Sequence, residues 1–195
     1  MKVAIVGGTG PFGRALAMRL HAAGDEVVVG SRDRARAEEA AAELHVDGAA
    51  NEESVRGGVE LVVLATNAAA MLETARALSL ESPVLSVASE LRSDEPVSLA
   101  ERLADVVNVP VVAGLHSLAA GKLSGEAPDE DAFVCGDDAD AKAMALELAQ
   151  KLVRGRAVDA GPLRSARGLE AMTGVLVGIN RRYKIHAGLR VTGLR

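Results

Sequence analysis

The stretch GGTGPFGRALAMRLHAAGDEVVVGSRDRAR, residues 7–36, decides the fold of this chain. It follows the strand-like run KVAIVG and opens a helix-like run, and within it six residues fit the pattern G-x-G-x-x-G. These are Gly8, Thr9, Gly10, Pro11, Phe12 and Gly13. In that context the pattern predicts a strand–turn–helix unit that binds the pyrophosphate of a dinucleotide at the helix N-terminus. We expect Gly8 to make the tight turn, Gly10 to admit the pyrophosphate, and Gly13 to allow close helix–strand packing.

The end of the second strand indicates which dinucleotide binds. A site for NAD usually has an acidic residue near this point, which bonds the ribose hydroxyls. This chain has Ser31 and Arg32 instead. Arg36 follows four residues after Arg32, a spacing that predicts the same helix face for both arginines. We expect these three side chains to hold a 2′-phosphate, whereas Arg34 belongs to a solvated helix face. One charge-assisted hydrogen bond is worth about 1.5–3 kcal/mol, so the sequence predicts NADP as the ligand.

Apolar runs and helix-like runs alternate along most of the chain. The strand-like runs are KVAIVG (2–7), EVVVG (26–30), ELVVLAT (60–66), PVLSVAS (83–89), VPVVAG (109–114) and DAFVCG (131–136). They are continuous and not alternating, as expected for strands buried on both faces. Ala-, Leu- and Glu-rich segments of helical spacing separate them. The pattern therefore predicts an α/β, Rossmann-type doubly wound and mainly parallel sheet.

The pattern changes near the C-terminus. Residues 163–187 predict one long helical stretch that contains several glycines. Two interpretations are open: the glycines permit close helix packing, for example between subunits, or they kink a surface helix. We therefore predict an NADP-binding Rossmann domain over 1–150 and a small helical C-terminal part over 151–195.

Composition and charge exclude several classes of function. Aromatic residues make up 2% of the chain, too few for recognition of nucleic acid by stacking. The sequence has no run of transmembrane length and no signal peptide, which predicts a cytoplasmic protein without membrane contact. The single Cys135 lies in a strand-like run and is expected in the core. The histidines have no metal-ligand spacing, so we predict no metal site.

The net charge of −5 is unevenly distributed. Residues 151–195 carry ten Lys or Arg against two acidic residues, a net +8, whereas residues 1–150 carry −13. Two interpretations are open. Either this segment folds against an acidic body, or it helps to hold an anionic ligand.

Four stretches together resemble the coenzyme F420:NADP oxidoreductases, the deazaflavin-dependent NADP reductases. They are residues 7–32, VVAGLHSLAAGKL (111–123), FVCGDDADAK (133–142) and the C-terminal stretch from 159 to 194. The resemblance implies a Rossmann domain, a small C-terminal part, and a cleft in which NADP faces coenzyme F420. It also implies reversible hydride transfer between the two and a homodimer or higher homo-oligomer.

The resemblance also implies further binding residues. Asn67, Ala68 and Ser89 would border the nicotinamide, and the segment from His116 to Ala120 would line the deazaflavin side. For His116 a hydrogen bond to the deazaflavin and a bond to the backbone both remain open. No residue is expected to act as a catalytic acid or base, since hydride transfer depends mainly on how two cofactors are positioned.

Two other functions remain as alternatives. One is an NADP-dependent reductase of another small substrate, such as an imine or ketone. The other is a non-catalytic NADP-binding sensor domain. The turn TNA (66–68) favours the sensor, because members of the family carry a proline-containing turn there.

Overall fold

The computed structural model describes residues 1–91 and 95–194. Its centre is an eight-stranded sheet with the order β3-β2-β1-β4-β5-β6-β7-β8. The strands are β1 (Lys2–Val6), β2 (Glu26–Ser31), β3 (Asp47–Ala50), β4 (Leu61–Leu64), β5 (Val84–Ser86), β6 (Val111–Gly114), β7 (Ala132–Gly136) and β8 (Ala157–Asp159). Neighbouring strands are parallel except for the antiparallel pair β6–β7.

Helices cover both faces of this sheet. They are α1 (Pro11–Ala22), α2 (Arg34–Leu44), α3 (Asn51–Ser54), α4 (Ala68–Arg76), α5 (Leu99–Ala104), α6 (Ala120–Leu123), α7 (Ala139–Leu152) and α8 (Ala166–Tyr183). The predicted doubly wound α/β fold is confirmed, and the six predicted strands all form.

The hydrophobic core has two halves, one on each face of the sheet, and β1 contributes side chains to both. Val3 and Ile5 pack into one hydrophobic cluster with α1 and α7. Ala4 and Val6 point to the other face and pack into a second cluster with α4, α5 and α8. Because consecutive side chains of a strand point to opposite faces, a continuous apolar run supplies both clusters at once.

Three local features can be compared with the sequence analysis: two additional strands, the bounds of the last helix and the position of Cys135. Strands β3 and β8 form although the hydrophobic pattern did not predict them. Their sequences, DGAA and AVD, contain no continuous run of large apolar side chains. The predicted single helix over 163–187 is wrong in its bounds. A short 3-10 turn (Leu163–Ser165) precedes α8, and Lys184 ends the helix in the left-handed conformation at φ 53°. Cys135 is buried in β7, and burial raises the pKa of its thiol to about 12.

The predicted division at residue 150 stays a prediction. Helix α7 runs on to Leu152, and β8, which lies beyond the division, pairs with β7 in the same sheet. Among the described residues, none of the helices is both long and apolar enough to cross a bilayer.

Candidate active site

The glycine-rich turn lies between the end of β1 and the start of α1. Its left-handed residue is Gly7, at φ 76°, and not Gly8 as expected from the pattern. Gly8 is required for close approach, since a Cβ there would lie 2.7 Å from the Ile5 carbonyl oxygen. A Cβ at Gly13 would lie 2.6 Å from the Gly8 Cα atom, so this glycine lets α1 pack on the turn. Gly8 and Gly13 therefore allow the turn to pack closely against β1 and α1.

Gly10 lies at the start of α1. A Cβ at Gly10 would lie 3.6 Å from the Gly7 carbonyl oxygen, an ordinary van der Waals distance, so packing within the chain does not require a glycine here. Gly10 is the N-cap of α1 and Pro11 is its first residue; the described residues provide no capping side chain for this helix. The first amides of α1, at the positive end of the helix dipole, are thus available to an anion. Phe12 packs against the hydrophobic core.

A cavity of about 550 Å³ extends from this turn across the ends of β2 and β4. It brings together six of the predicted residues. They are Thr9, Gly10, Ser31, Arg32, Arg36 and Asn67. The carboxyl ends of parallel strands meet at one edge of a sheet, and this cavity occupies that edge beside β1, where the strand order reverses.

Arg32 and Arg36 reach the cavity from different local structures. Helix α2 begins at Arg34 with Asp33 as its N-cap, so Arg32 precedes the helix and the predicted shared helix face is wrong. Both side chains nevertheless line the cavity, and neither has an ion-pair or hydrogen-bond partner among the described residues. Arg34 instead pairs with Glu38 and Glu53 on the surface, as its assignment to a solvated face predicted.

Asp33 lies between the two arginines but is engaged with the helix. Its carboxylate accepts hydrogen bonds from the amides of Ala35 (3.0 Å) and Arg36 (3.4 Å). The Asp33 amide in turn donates to the Ser31 hydroxyl over 3.2 Å. The carboxylate therefore complements the positive end of the α2 dipole, and the two guanidinium groups remain unpaired in the described structure.

Among the cavity residues that the sequence analysis missed, two have buried polar atoms without a partner in the described structure. Asn51, the first residue of α3, and Thr66, which follows β4, both line the cavity. The Oδ1 atom of Asn51 and the Oγ1 atom of Thr66 are buried and have no hydrogen-bond partner among the described residues. Nothing in a single sequence distinguishes these residues from ordinary loop residues; only their burial at the cavity wall does.

Helix α4 begins beside the same cavity. Asn67 is its N-cap and accepts a 2.9 Å hydrogen bond from the Ala70 amide through Oδ1, and Ala68 is its first residue. The family resemblance assigned both residues to the nicotinamide border. The turn TNA thus works as a helix start, and the Asn67 side-chain amide group lies at the cavity wall.

Ser89 and His116 are joined by a residue that the sequence analysis did not single out. Thr173 of α8 donates its hydroxyl hydrogen to the His116 carbonyl oxygen at 2.8 Å. The same hydroxyl lies 2.7 Å from the Ser89 hydroxyl oxygen. This three-residue set, which we call the Thr173 link, ties α8 to the segments that follow β5 and β6.

The imidazole of His116 is buried and neutral at pH 7. Its Nε2 atom lies 3.2 Å from the Ala88 carbonyl oxygen and must donate, because a carbonyl oxygen only accepts. Nδ1 is then an acceptor, and it has no partner among the described residues. Burial lowers the pKa of His116 to about 4. Leu115, just before it, is held at φ 65°, a strained conformation for a branched residue.

Ala120 lies away from the Thr173 link. It is the first residue of α6 and lines a groove beside Pro11 and Met18 of α1. No group of three or more His, Cys, Asp or Glu side chains within residues 1–91 and 95–194 is arranged to hold a metal ion.

The basic C-terminal segment makes many of its contacts with acidic residues of the body. Arg156 pairs with buried Asp131, and Arg190 pairs with Asp129. Lys151 pairs with buried Asp25 and with Glu147. These contacts favour the interpretation that the segment folds against an acidic body. Arg164, Arg181, Arg182 and Lys184 have no ion-pair partner in the described part of the chain.

The fold and the cavity define a class: a Rossmann-type protein with a cavity at the carboxyl ends of its strands, lined by two arginines that have no partner among the described residues. The profile of the family described as "NADP oxidoreductase coenzyme F420-dependent" matches residues 2–90. An F420-dependent NADP reductase of Methanothermobacter thermautotrophicus is 31% identical over 223 aligned positions, which cover 100% of this chain and 96% of that protein. The chain therefore belongs to the coenzyme F420-dependent NADP reductase family.

Other comparisons agree. An F420-dependent NADP reductase of Methanocaldococcus jannaschii is 32% identical, covering 100% of this chain and 99% of that protein. The crystal structure of a candidate F420-dependent NADP reductase from Arthrobacter sp. FB24 superposes with a TM-score of 0.84 at 27% identity, covering 98% of this chain and 99% of that one. A reductive aminase of Aspergillus terreus in complex with NADPH and ethyl-5-oxohexanoate has a TM-score of 0.72 at 20% identity, over 94% of this chain and 62% of that one. This last likeness concerns the fold alone.

Proposed function

We propose that this protein is an oxidoreductase that transfers a hydride reversibly between coenzyme F420 and NADP. One observation carries the proposal. Arg32 and Arg36, which have no partner among the described residues, line a cavity next to the uncapped N-terminus of α1. Membership of the F420-dependent family supports the deazaflavin as the second substrate.

The residues of the cavity fit NADP in three places. Gly10 and the amides of α1 suit the pyrophosphate. Ser31, Arg32 and Arg36 suit the 2′-phosphate. The buried, unpaired polar atoms of Asn51 and Thr66 offer further hydrogen bonds, which a ligand of many polar groups would satisfy.

The chemistry of the reaction belongs to the cofactors: nicotinamide and deazaflavin exchange the hydride directly when both are bound. The protein binds and orients the two cofactors and excludes water from them. The Thr173 link fixes the ends of β5 and β6 against α8, and we propose that it borders the deazaflavin side of the cleft. The neutral His116 imidazole uses its Nε2 proton in the hydrogen bond to the Ala88 carbonyl oxygen, so we propose that it positions this segment and does not act as an acid or base.

We further propose that the protein works in the cytoplasm as a homodimer or higher homo-oligomer. Support for self-association comes from α8, whose Val175 is 62% exposed and whose terminal Tyr183 is 65% exposed. A Cβ at Gly178 would meet no atom of another described segment within 4 Å, so this side of the helix is open to close packing.

The test of the function is an absorbance assay at roughly 400–420 nm, where the deazaflavin absorbs, with NADPH and then NADH as donor. We expect bleaching with NADPH and little with NADH. Tight NADPH binding without bleaching would favour the non-catalytic sensor. Turnover of an imine or ketone in place of the deazaflavin would favour the other reductase.

A further inference from the structure

We propose that Glu130 is a positioning residue for the deazaflavin side of the site. Two segments meet at this residue: the post-β6 segment, residues 116–123, and the C-terminal tail, residues 185–194. Glu130 holds the first against the second through its ion pair with Lys122 of α6. This inference deepens the proposed function and rests on it, because the deazaflavin is the second substrate of that function.

The first observation is a buried ion pair. The Glu130 carboxylate accepts a 2.5 Å hydrogen bond from Lys122 Nζ, and the Glu130 side chain is only 2% exposed. Lys122 is its one charged partner among the described residues. A carboxylate out of water is costly unless it is paired, so Glu130 strongly favours the arrangement in which α6 keeps Lys122 beside it. The ion pair therefore fixes the end of the post-β6 segment.

The second observation is that the C-terminal tail lies directly on this ion pair. A Cβ at Gly188 would lie 1.6 Å from Glu130 Oε2 and 2.7 Å from Lys122 Nζ, so a glycine is needed for the tail to come this close. The carbonyl oxygen of the next tail residue, Leu189, accepts a 2.7 Å hydrogen bond from the Asp131 amide. Two consecutive residues of the body thus hold the tail in place.

The third observation is the position of residues 130–131 in the sheet. They precede β7, which runs antiparallel to β6, so they lie at the edge where β6 ends and the post-β6 segment begins. The Ser117 hydroxyl donates to the Asp131 carbonyl oxygen at 3.4 Å. The Thr173 link holds the start of the same segment. Because the segment is short and held at both ends, releasing it at Glu130 lets its cofactor side shift.

The experiment compares wild type with Glu130→Gln, which keeps the shape of the side chain and removes its charge. We expect kcat/KM for the deazaflavin, measured at saturating NADPH, to fall about 5- to 20-fold. A charge-assisted hydrogen bond to the substrate itself is worth about 10- to 100-fold, and Glu130 acts only through another residue. The dissociation constant of NADPH should stay within about twofold. A role in stability alone would leave both values unchanged in the folded enzyme.

Hydrogen exchange of the backbone amides is a readout that needs no deazaflavin. In Glu130→Gln the amides of the post-β6 segment should exchange at least about 5-fold faster, while those of β1 stay as in wild type. Gly188→Ala is the second variant. Its methyl group displaces the tail from the ion pair without removing a charge, and it should raise the same exchange rates.

Asp129→Asn is the matched control. It makes the same chemical change at the neighbouring residue, and Asp129 also pairs with the tail, through Arg190. Both side chains of that pair are more than half exposed, and such pairs contribute little. We therefore expect Asp129→Asn to alter neither the kinetics nor the exchange of the post-β6 segment.

Each outcome supports or overturns the proposal. Unchanged exchange of the post-β6 segment in both variants overturns it, and so does an equal effect of Asp129→Asn. Faster exchange with unchanged kcat/KM shows a role in folding alone and overturns the positioning role. If Glu130→Gln does not fold, Gly188→Ala carries both measurements. A wild type that binds NADPH but does not reduce the deazaflavin contradicts the proposed reaction, and the exchange comparison still decides whether the tail and the segment are coupled.

Discussion

At the scale of single residues, three arginines within five positions behave differently. Arg32 and Arg36 line the nucleotide cavity without partners in the described structure, whereas Arg34 pairs with Glu38 and Glu53. The three side chains are chemically identical, so their neighbours alone set their roles. An unpaired guanidinium keeps all its donors for a phosphate, while a paired one has already used part of them.

We expect Arg36→Ala to weaken NADPH binding by about 10- to 100-fold, the cost of one charge-assisted hydrogen bond. NADH binding should change by less than about twofold, because NADH lacks the 2′-phosphate. Titration calorimetry of both nucleotides checks this. Arg34→Ala is the matched control and should bind both as wild type does; a similar loss in Arg34→Ala would mean that general charge, and not the clamp, sets the preference.

At the scale of elements, α8 connects the C-terminal part to the sheet. Glu170 accepts 3.2 Å hydrogen bonds from the first amides of α5, those of Leu99 and Ala100. One turn later Thr173 bonds the His116 carbonyl oxygen and the Ser89 hydroxyl. The position of α8 along its axis is therefore fixed at two points, both of them buried or partly buried.

We expect Thr173→Val to lower kcat for deazaflavin reduction about 5-fold, as for one hydrogen bond of about 1 kcal/mol that orients a site. The NADPH dissociation constant should stay within about twofold. Steady-state kinetics and calorimetry together check this. Ser89→Ala removes only the bond between Ser89 and Thr173, so the double variant should lose little more than Thr173→Val alone. Fully additive losses would contradict the link.

The buried carboxylate of Asp131 is one of the groups that hold the C-terminal tail. Asp131 accepts hydrogen bonds from the Val191 amide (2.8 Å) and from the Arg156 backbone and guanidinium (both 2.9 Å). Burial by itself would raise the pKa of Asp131, but these hydrogen bonds outweigh it and lower the pKa to about 2. The ionised carboxylate is thus strongly favoured in the folded state.

We expect Asp131→Asn to reduce the free energy of unfolding by about 2–3 kcal/mol at pH 7, less than for a fully buried pair because Arg156 remains partly in water. Since the folded-state pKa is lowered, this stability is present above pH 4 and is lost as the pH falls towards 2. Urea unfolding at several pH values checks the sign. A difference that is independent of pH would show that the carboxylate charge is not the cause.

At the scale of the whole molecule, the basic C-terminal segment is partly paired within the chain, whereas one side of α8 is left uncovered. The basic C-terminal segment is partly neutralised by acidic residues of the body, such as Asp129 and Asp131. The side of α8 that carries Val175 and Gly178 remains uncovered in a single chain. This is the side of the 18-residue helix α8 that the proposed self-association would cover.

We expect the wild-type protein to sediment as a dimer or higher oligomer and Val175→Asp to sediment as a monomer, because a charge in the centre of a covered apolar surface loses its water. Analytical ultracentrifugation measures both. The circular dichroism of the variant should match wild type, which would show that the chain still folds. A monomeric wild type would contradict the proposed assembly.

The sequence by itself determined the parts of this protein that depend on local pattern. Continuous apolar runs predicted six of the eight strands of the sheet, since strands buried on both faces need apolar side chains on both. The glycine pattern predicted the turn and the start of α1, because close backbone approach excludes a side chain at Gly8 and Gly13. The basic residues after β2 predicted which side chains line the ribose end of the cavity.

Only the tertiary structure decided the rest. Arg32 and Arg36 converge although they do not share a helix face, and Thr173 meets Ser89 across 84 positions of the chain. Asn51 and Thr66 become notable only because the fold buries their polar atoms without a partner. These features depend on which segments meet in space, and residues distant in sequence carry no local periodicity that records their contact.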